Sequence, residues 1–234
     1  MSGSWTPNAR VARLSVALTL LVAGLLLLGP VPAQAQAAFV TGQHVYQNFG
    51  GVGTGMITLP SPSTTGNLIV LSVLLDRSDR TLAPPTDNKG NTYSLATGPV
   101  IWGGINVVWT YYASNITGGG APVTITITLS GPGNTFFEAY ALEYSGVATA
   151  SPVDQTSSGF GNSMTVSSGS KTTTSPDELI YGVCSNFDIS TPDPPLTARN
   201  TSNGNFVSAF TSSSPISPGL PVSISNAFSF PTTR

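Results

Sequence analysis

Ten carboxylates, one histidine and one cysteine are the residues of this 234-residue chain that could carry acid–base, nucleophilic or metal chemistry. Glycoside hydrolysis asks for two carboxylates roughly 5–10 Å apart across the scissile bond. The best local pair is Glu138 and Glu143, in Phe136-Phe137-Glu138-Ala139-Tyr140-Ala141-Leu142-Glu143-Tyr144. Their odd spacing puts them on opposite faces of a regular strand, and only a bulge would reset that parity. The structural reading is a charge on a sheet face or an edge gatekeeper. Carboxylates brought together from distant strands (Glu138, Glu143, Asp154 and Asp87) define an alternative, a jelly-roll carbohydrate-active enzyme of the glycoside hydrolase or lyase kind.

Nucleophilic catalysis finds little support. A Ser-His-Asp arrangement must use His44, and no Gly-x-Ser-x-Gly elbow is present. His44 sits in the alternating run Gly42-Gln43-His44-Val45-Tyr46-Gln47, which reads as an edge strand with the imidazole on the surface. Cys184 ends the apolar run Leu179-Ile180-Tyr181-Gly182-Val183-Cys184 and reads as a small core residue of a buried strand. One His and one Cys cannot complete a zinc site. No catalytic residue, metal ligand or cofactor is therefore assigned. Calcium stays open at one place, where Asp87, Asn88 and Asn91 offer hard oxygens on a turn and Asp76 and Asp79 precede them. The same residues suit simple turn formation.

Ligand binding can be built from aromatics and amides. Trp102, Trp109, Tyr111 and Tyr112 cluster on one expected hairpin. Trp109 and Tyr111 share its apolar face and belong to the core, whereas Trp102 and Tyr112 fall elsewhere and are expected to be exposed. Trp102, Tyr112, Asp87 and Asn91 are accordingly the candidate ligand-binding residues. Asn115-Ile116-Thr117 and Asn200-Thr201-Ser202 match the glycosylation sequon, which matters only in a host that glycosylates.

The elements that must position these groups are strands. Val123, Ile125, Ile127 and Leu129 alternate with Thr124, Thr126 and Thr128, a period of two that marks a strand with one buried face. Ile105, Val107, Trp109 and Tyr111 form a second alternating set, and Val222, Ile224, Phe228 and Phe230 a third. Leu68 to Leu75 and Leu179 to Cys184 are apolar on both faces, as strands sandwiched between layers are. Turns rich in Gly, Asn and Pro punctuate these runs, and the segment from Ser190 to Asn205 reads as a long surface loop. The expected fold is all-β: an antiparallel β-sandwich, a jelly roll by strand number and spacing, preceded by an N-terminal signal helix.

Residues 1–35 read as an export signal. Arg10 and Arg13 precede the apolar run from Leu14 to Leu28, Pro30 and Pro32 end it, and Ala33-Gln34-Ala35 supplies a small-x-small cleavage pattern. Cleavage after Ala37 fits almost as well. The apolar run is shorter than the ~20 residues of a spanning helix, so no membrane insertion is expected after cleavage. Residues 36–234 then form a single secreted domain, with the periplasm as the other open compartment. Only 8% of residues are charged, so the polar surface must come from Ser, Thr, Asn and Gly. No basic stripe is present for nucleic acid.

Four stretches carry a resemblance: Asp87-Asn88-Lys89-Gly90-Asn91-Thr92-Tyr93, Tyr111 to Gly119, Glu143-Tyr144-Ser145-Gly146-Val147 and Ser151-Pro152-Val153-Asp154-Gln155. Together they resemble a class of exported bacterial β-sandwich proteins found beside Ig-like or fibronectin type III modules. The resemblance implies the fold and an extracellular setting and carries over no catalytic residue. It also leads us to expect a final apolar strand that is short or missing. On function, the reading is a non-catalytic extracellular protein for adhesion, surface structure or carbohydrate or other ligand binding. Its partner would be a carbohydrate or another surface protein.

Overall fold

A computed structural model describes residues 36–131, 133–160, 167–169, 171–174, 178–185, 196–202, 205–211 and 226–231, the last stretches from 200 onward as backbone. The signal segment lies outside the described residues. Residues Ala35–Arg234 make one compact unit. Every regular element described in it is a strand, and every pairing is antiparallel.

The strands fall into three sheets. A central sheet holds, in spatial order, β1 (Ala38–Val52), β9 (Thr135–Ser145), β3 (Leu68–Leu75), β7 (Asn106–Ala113) and β6 (Ser94–Trp102). A small sheet holds β2 (Thr54–Thr58), β8 (Thr124–Ser130) and β4 (Thr81–Leu82), with β5 (Thr86–Asp87) also on β8. A second outer sheet holds β10 (Thr156–Ser158), β14 (Asn226–Pro231), β11 (Glu178–Cys184), β13 (Asn205–Thr211) and β12 (Thr197–Ser202). β1 and β2 are nearly continuous: the chain leaves the central sheet at Val52 and enters the small sheet at Thr54.

The central sheet is apolar on both faces, which explains the unbroken run Leu68-Ile-Val-Leu-Ser-Val-Leu-Leu75, all eight residues buried. Ile69, Leu71, Val73, Val107, Trp109, Tyr111, Phe137, Ala139 and Ala141 pack against Ile57, Ile125 and Ile127 of the small sheet. The alternate residues Leu68, Val70, Leu74, Val108, Tyr140, Leu142 and Tyr144 pack against Leu179, Tyr181 and Val183 of the second outer sheet. Each fully buried side chain of this size contributes about 1.5–3 kcal/mol. One polar contact crosses the second interface: Ser72 Oγ lies 2.8 Å from Tyr181 Oη and 2.9 Å from Thr110 Oγ1.

The Thr-Ile alternation of β8 behaves as read, with Ile125 and Ile127 fully buried and Thr128 exposed. Ile105 does not extend the buried set: it follows the Gly103-Gly104 turn ahead of β7 and is 57% exposed. Part of the segment read as a surface loop is a strand, since Thr197–Ser202 pairs with β13. Its polar composition suits an edge, because solvent takes one side of an edge strand. Ser202 pairs with Asn205 at the end of that ladder. The final strand is present: β14 lies between β10 and β11 in the second outer sheet. Val222 and Ile224 lie outside the described residues.

Candidate functional site

Two of the carboxylates singled out by the sequence, Glu143 and Asp87, hold neighbouring loops together. Glu143 is fully buried. Its Oε1 accepts from Thr64 N at 2.9 Å and Asn67 Nδ2 at 2.6 Å, and its Oε2 accepts from Gln43 Nε2 at 2.9 Å. Gln43 in turn grips Ser61 through both backbone groups, at 2.8 and 3.0 Å. Three donors thus satisfy a buried carboxyl group whose burial without them would be costly.

Glu138 lies on the other face of β9. The β3–β9 register runs without a break from Leu68↔Tyr144 to Leu75↔Phe137, so no bulge resets the parity and the two glutamates are kept apart. Glu138 accepts from Tyr46 Oη and Tyr140 Oη, each at 3.2 Å, and from Asn48 Nδ2 at 3.3 Å. Asp154 is elsewhere again, held by the amide and hydroxyl of Thr174. Burial raises its pKa, but Thr174 donation outweighs that and keeps the carboxyl below its ordinary value.

Asp87 and Asn91 serve the same joining of loops. Asp87 Oδ1 accepts from the amides of Lys89 at 2.9 Å and Asn91 at 3.1 Å, and its Oδ2 from Asn91 Nδ2 at 2.8 Å and Tyr93 Oη at 3.0 Å. Asn91 Oδ1 takes the amide of Thr117 at 2.7 Å, and Asn88 clamps Thr124 and Pro122. The loop thus reached, 115–119, continues to the Glu143 loop: Ile116 N donates to Asn67 O at 3.1 Å and Gly119 N to Ser63 O at 2.7 Å. The approach is close enough that a Cβ on Gly118 would sit 2.2 Å from Ser63 O, so only glycine fits. Both Asp87 oxygens are occupied by protein donors, the arrangement that turn formation requires. Asp87→Ala is expected to lower stability by about 2–3 kcal/mol by stranding these donors, read from urea unfolding.

Tyr93 belongs to this network and gives it a pH signature. Burial first, and the neighbouring Asp87 second, hold its phenol well above the ordinary 10.0. Burial also raises Tyr111, Tyr144 and Tyr181. Since the folded pKa values exceed the unfolded one, stability is intact below about pH 10 and falls as the pH rises further, where the unfolded chain loses phenolic protons first. The expected result is an alkaline unfolding transition in which the buried tyrosines ionise only as the fold opens, with a shallower loss of stability in Tyr93→Phe. Combined absorbance and circular dichroism titration checks it.

The four proposed ligand-binding residues do not converge. Tyr112 pairs with Ser94 at one end of the β6–β7 hairpin and Trp102 with Asn106 at the other. Both are half-buried rather than exposed, and Tyr112 packs against the second core. Asp87 and Asn91 are engaged in the loop closure on the small-sheet side.

A different group of residues comes together at the open edge between the central and second outer sheets. β1 and β12 are the edge strands there among the described residues, and each carries an irregularity. In β1 the register jumps between Phe39↔Tyr144 and His44↔Leu142. The slack lets Gln43 turn toward Glu143 while Phe39 and His44 stay on the other face. In β12, Arg199 is the extra residue between Ala198↔Ser208 and Asn200↔Val207. Bulges of this kind re-aim side chains. Here Arg199 Cζ lies 4.8 Å from the Phe39 ring centroid. The Phe39 ring is 5.7 Å from His44 and 5.9 Å from Tyr144.

Within this group three buried polar atoms have no hydrogen-bond partner among the described residues: His44 Nδ1, Tyr144 Oη and Arg199 Nε. Burial, and then the neighbouring Tyr181, keep the Tyr144 phenol protonated against the opposing pull of Arg199, so its hydroxyl is available as a donor. His44 is half-buried and faces the inter-sheet space rather than the surface. The sequence carried no local signal for this grouping, because the register jump and the bulge that create it are non-local. No family model, curated protein or solved structure matches the chain.

Proposed function

We propose that this chain is a non-catalytic extracellular binding module, for adhesion or for holding a carbohydrate or another surface ligand, exported through residues 1–35 and functioning as residues 36–234. The observation that carries this reading is the use of the carboxylates. Glu143 and Asp87 are spent on holding joined loops, Glu138 and Asp154 are held elsewhere, and the strongest catalytic pair, Glu138 and Glu143, points to opposite faces of β9. An enzyme of the alternative class needs two of them in one cleft.

The strand order supports the finer topology. We read β1-β9-β3-β7 facing β2-β8-β4 as a jelly roll carrying β6 beside β7 at the sheet edge, β5 on β8 and an added layer of β10–β14. The low charge supports an exported setting, and the resemblance to exported bacterial β-sandwich proteins points the same way.

The test is affinity electrophoresis of the mature protein through gels containing a panel of neutral and acidic polysaccharides, with size-exclusion chromatography alongside. Retardation by at least one polymer, from a discrete small species, is the expected result. Migration unchanged by every polymer would remove the carbohydrate arm, and large self-assembled particles would favour a surface-structure role.

A further inference from the structure

We propose that the open edge between β1 and β12 is an oxyanion-binding site, in which Arg199, Tyr144 and His44 receive the carboxylate or phosphate group of a small ligand; this rests on the binding-module reading and names the ligand chemistry of that site. The three residues that carry the orphaned atoms come from three different strands, β12, β9 and β1, and each lies against the ring of Phe39. Isolated unsatisfied groups are found in many proteins, but a buried polar atom without a partner requires an explanation, and three in one place point to a missing acceptor. Arg199 Nε–H and Tyr144 Oη–H are donors, and His44 Nδ1 is a donor in one tautomer and in the charged ring. A group that accepts from all of them is an oxyanion.

The surroundings fit this use. Tyr144 is fully buried and fixed by the edge-on ring of Tyr181 at 6.3 Å, so its hydroxyl is positioned in advance. Phe39, His44 and Arg199 are half-exposed and form the mouth. The donors themselves lie under the surface, so a ligand enters by displacing Arg199. Arg199 is a bulged residue on an edge strand, so it can swing outward without breaking a pairing on its outer side. Phe39 offers an apolar ring to the body of the ligand. None of the described carboxylate networks reaches this place: Glu143 faces the opposite side of the central sheet, and Glu138 is bonded to Tyr46, Asn48 and Tyr140.

The test is thermal unfolding of the mature protein against acetate, glucuronate, inorganic phosphate and glucose at matched ionic strength, repeated with Arg199→Met, Tyr144→Phe and His44→Gln. Arg199→Met keeps a long unbranched side chain beside Phe39, and Tyr144→Phe keeps the ring, so both are expected to fold. The expected result is a saturable rise in melting temperature with glucuronate and with acetate or phosphate, but not with glucose. Arg199→Met should weaken that binding about tenfold or more. Tyr144→Phe and His44→Gln should weaken it less, and Tyr144→Phe alone should leave the ligand-free melting temperature unchanged or higher, since it removes a buried hydroxyl without a partner. A rise with acetate but not phosphate assigns the site to carboxylates, and the converse to phosphates. No response to any of the three anions overturns the proposal, as does a response that survives Arg199→Met undiminished. Equal responses to glucose and glucuronate overturn it too, while leaving the binding-module reading standing.

Discussion

Glu143→Ala is expected to destabilise the mature domain by about 3–5 kcal/mol, one of the two largest single-residue losses we anticipate. The carboxylate is fully buried and receives Thr64 N, Asn67 Nδ2 and Gln43 Nε2. Removing it strands three donors, two of them in fully buried hydrogen bonds. Glu143→Gln should recover only part of the loss, because its amide nitrogen must face one of the same donors. The damage should also spread. The 61–67 loop is bonded to 115–119, and that loop to Asn91, so faster amide exchange is expected at Thr117 and Gly119 as well as at Thr64. Urea unfolding with hydrogen exchange checks both statements. A loss under about 1 kcal/mol would mean that Glu143 is not the anchor described.

Leu68→Ala and Leu71→Ala are each expected to cost about 2–5 kcal/mol. The pair tests the layer arrangement, because Leu71 faces the small sheet and Leu68 the second outer sheet. In a two-sheet sandwich one parity of β3 would face solvent and its truncation would cost little. Here both residues are buried, at 1% exposure or less, so both variants should lose midpoint in urea. A substantial loss in Leu71→Ala and almost none in Leu68→Ala would contradict the third layer.

The parts legible in the sequence were those set by local periodicity. The alternation in β8, the two-sided apolar runs of β3 and β11 and the opposed faces of Glu138 and Glu143 all follow from the two-residue repeat of a strand. What escaped was decided by register and packing between distant segments. Thr197–Ser202 has the composition of a loop and becomes a strand because β13 pairs with it. His44 has the pattern of an exposed edge residue, but the register jump in β1 keeps it on the inter-sheet face. Trp102 and Tyr112 share a hairpin, yet its length separates them. Asp87 and Asn91 had two chemical readings from sequence; Asp87 takes its donors from Lys89, Asn91 and Tyr93 nearby, and only Asn91 is tied to a distant segment, through Thr117.

The same distinction governs function. Carboxylates that look available for chemistry in a low-charge chain are here spent on structure: Glu143 and Asp87 hold joined loops, Glu138 braces a sheet face, and Asp154 bonds Thr174 and Glu178. We propose binding without turnover. Reducing-end release from the polysaccharide that retards the mature protein most strongly, followed through prolonged incubation beside the unfolded protein as control, tests it. Release no greater than the control is expected. Release that rises with protein concentration and is abolished by Glu138→Gln would contradict it.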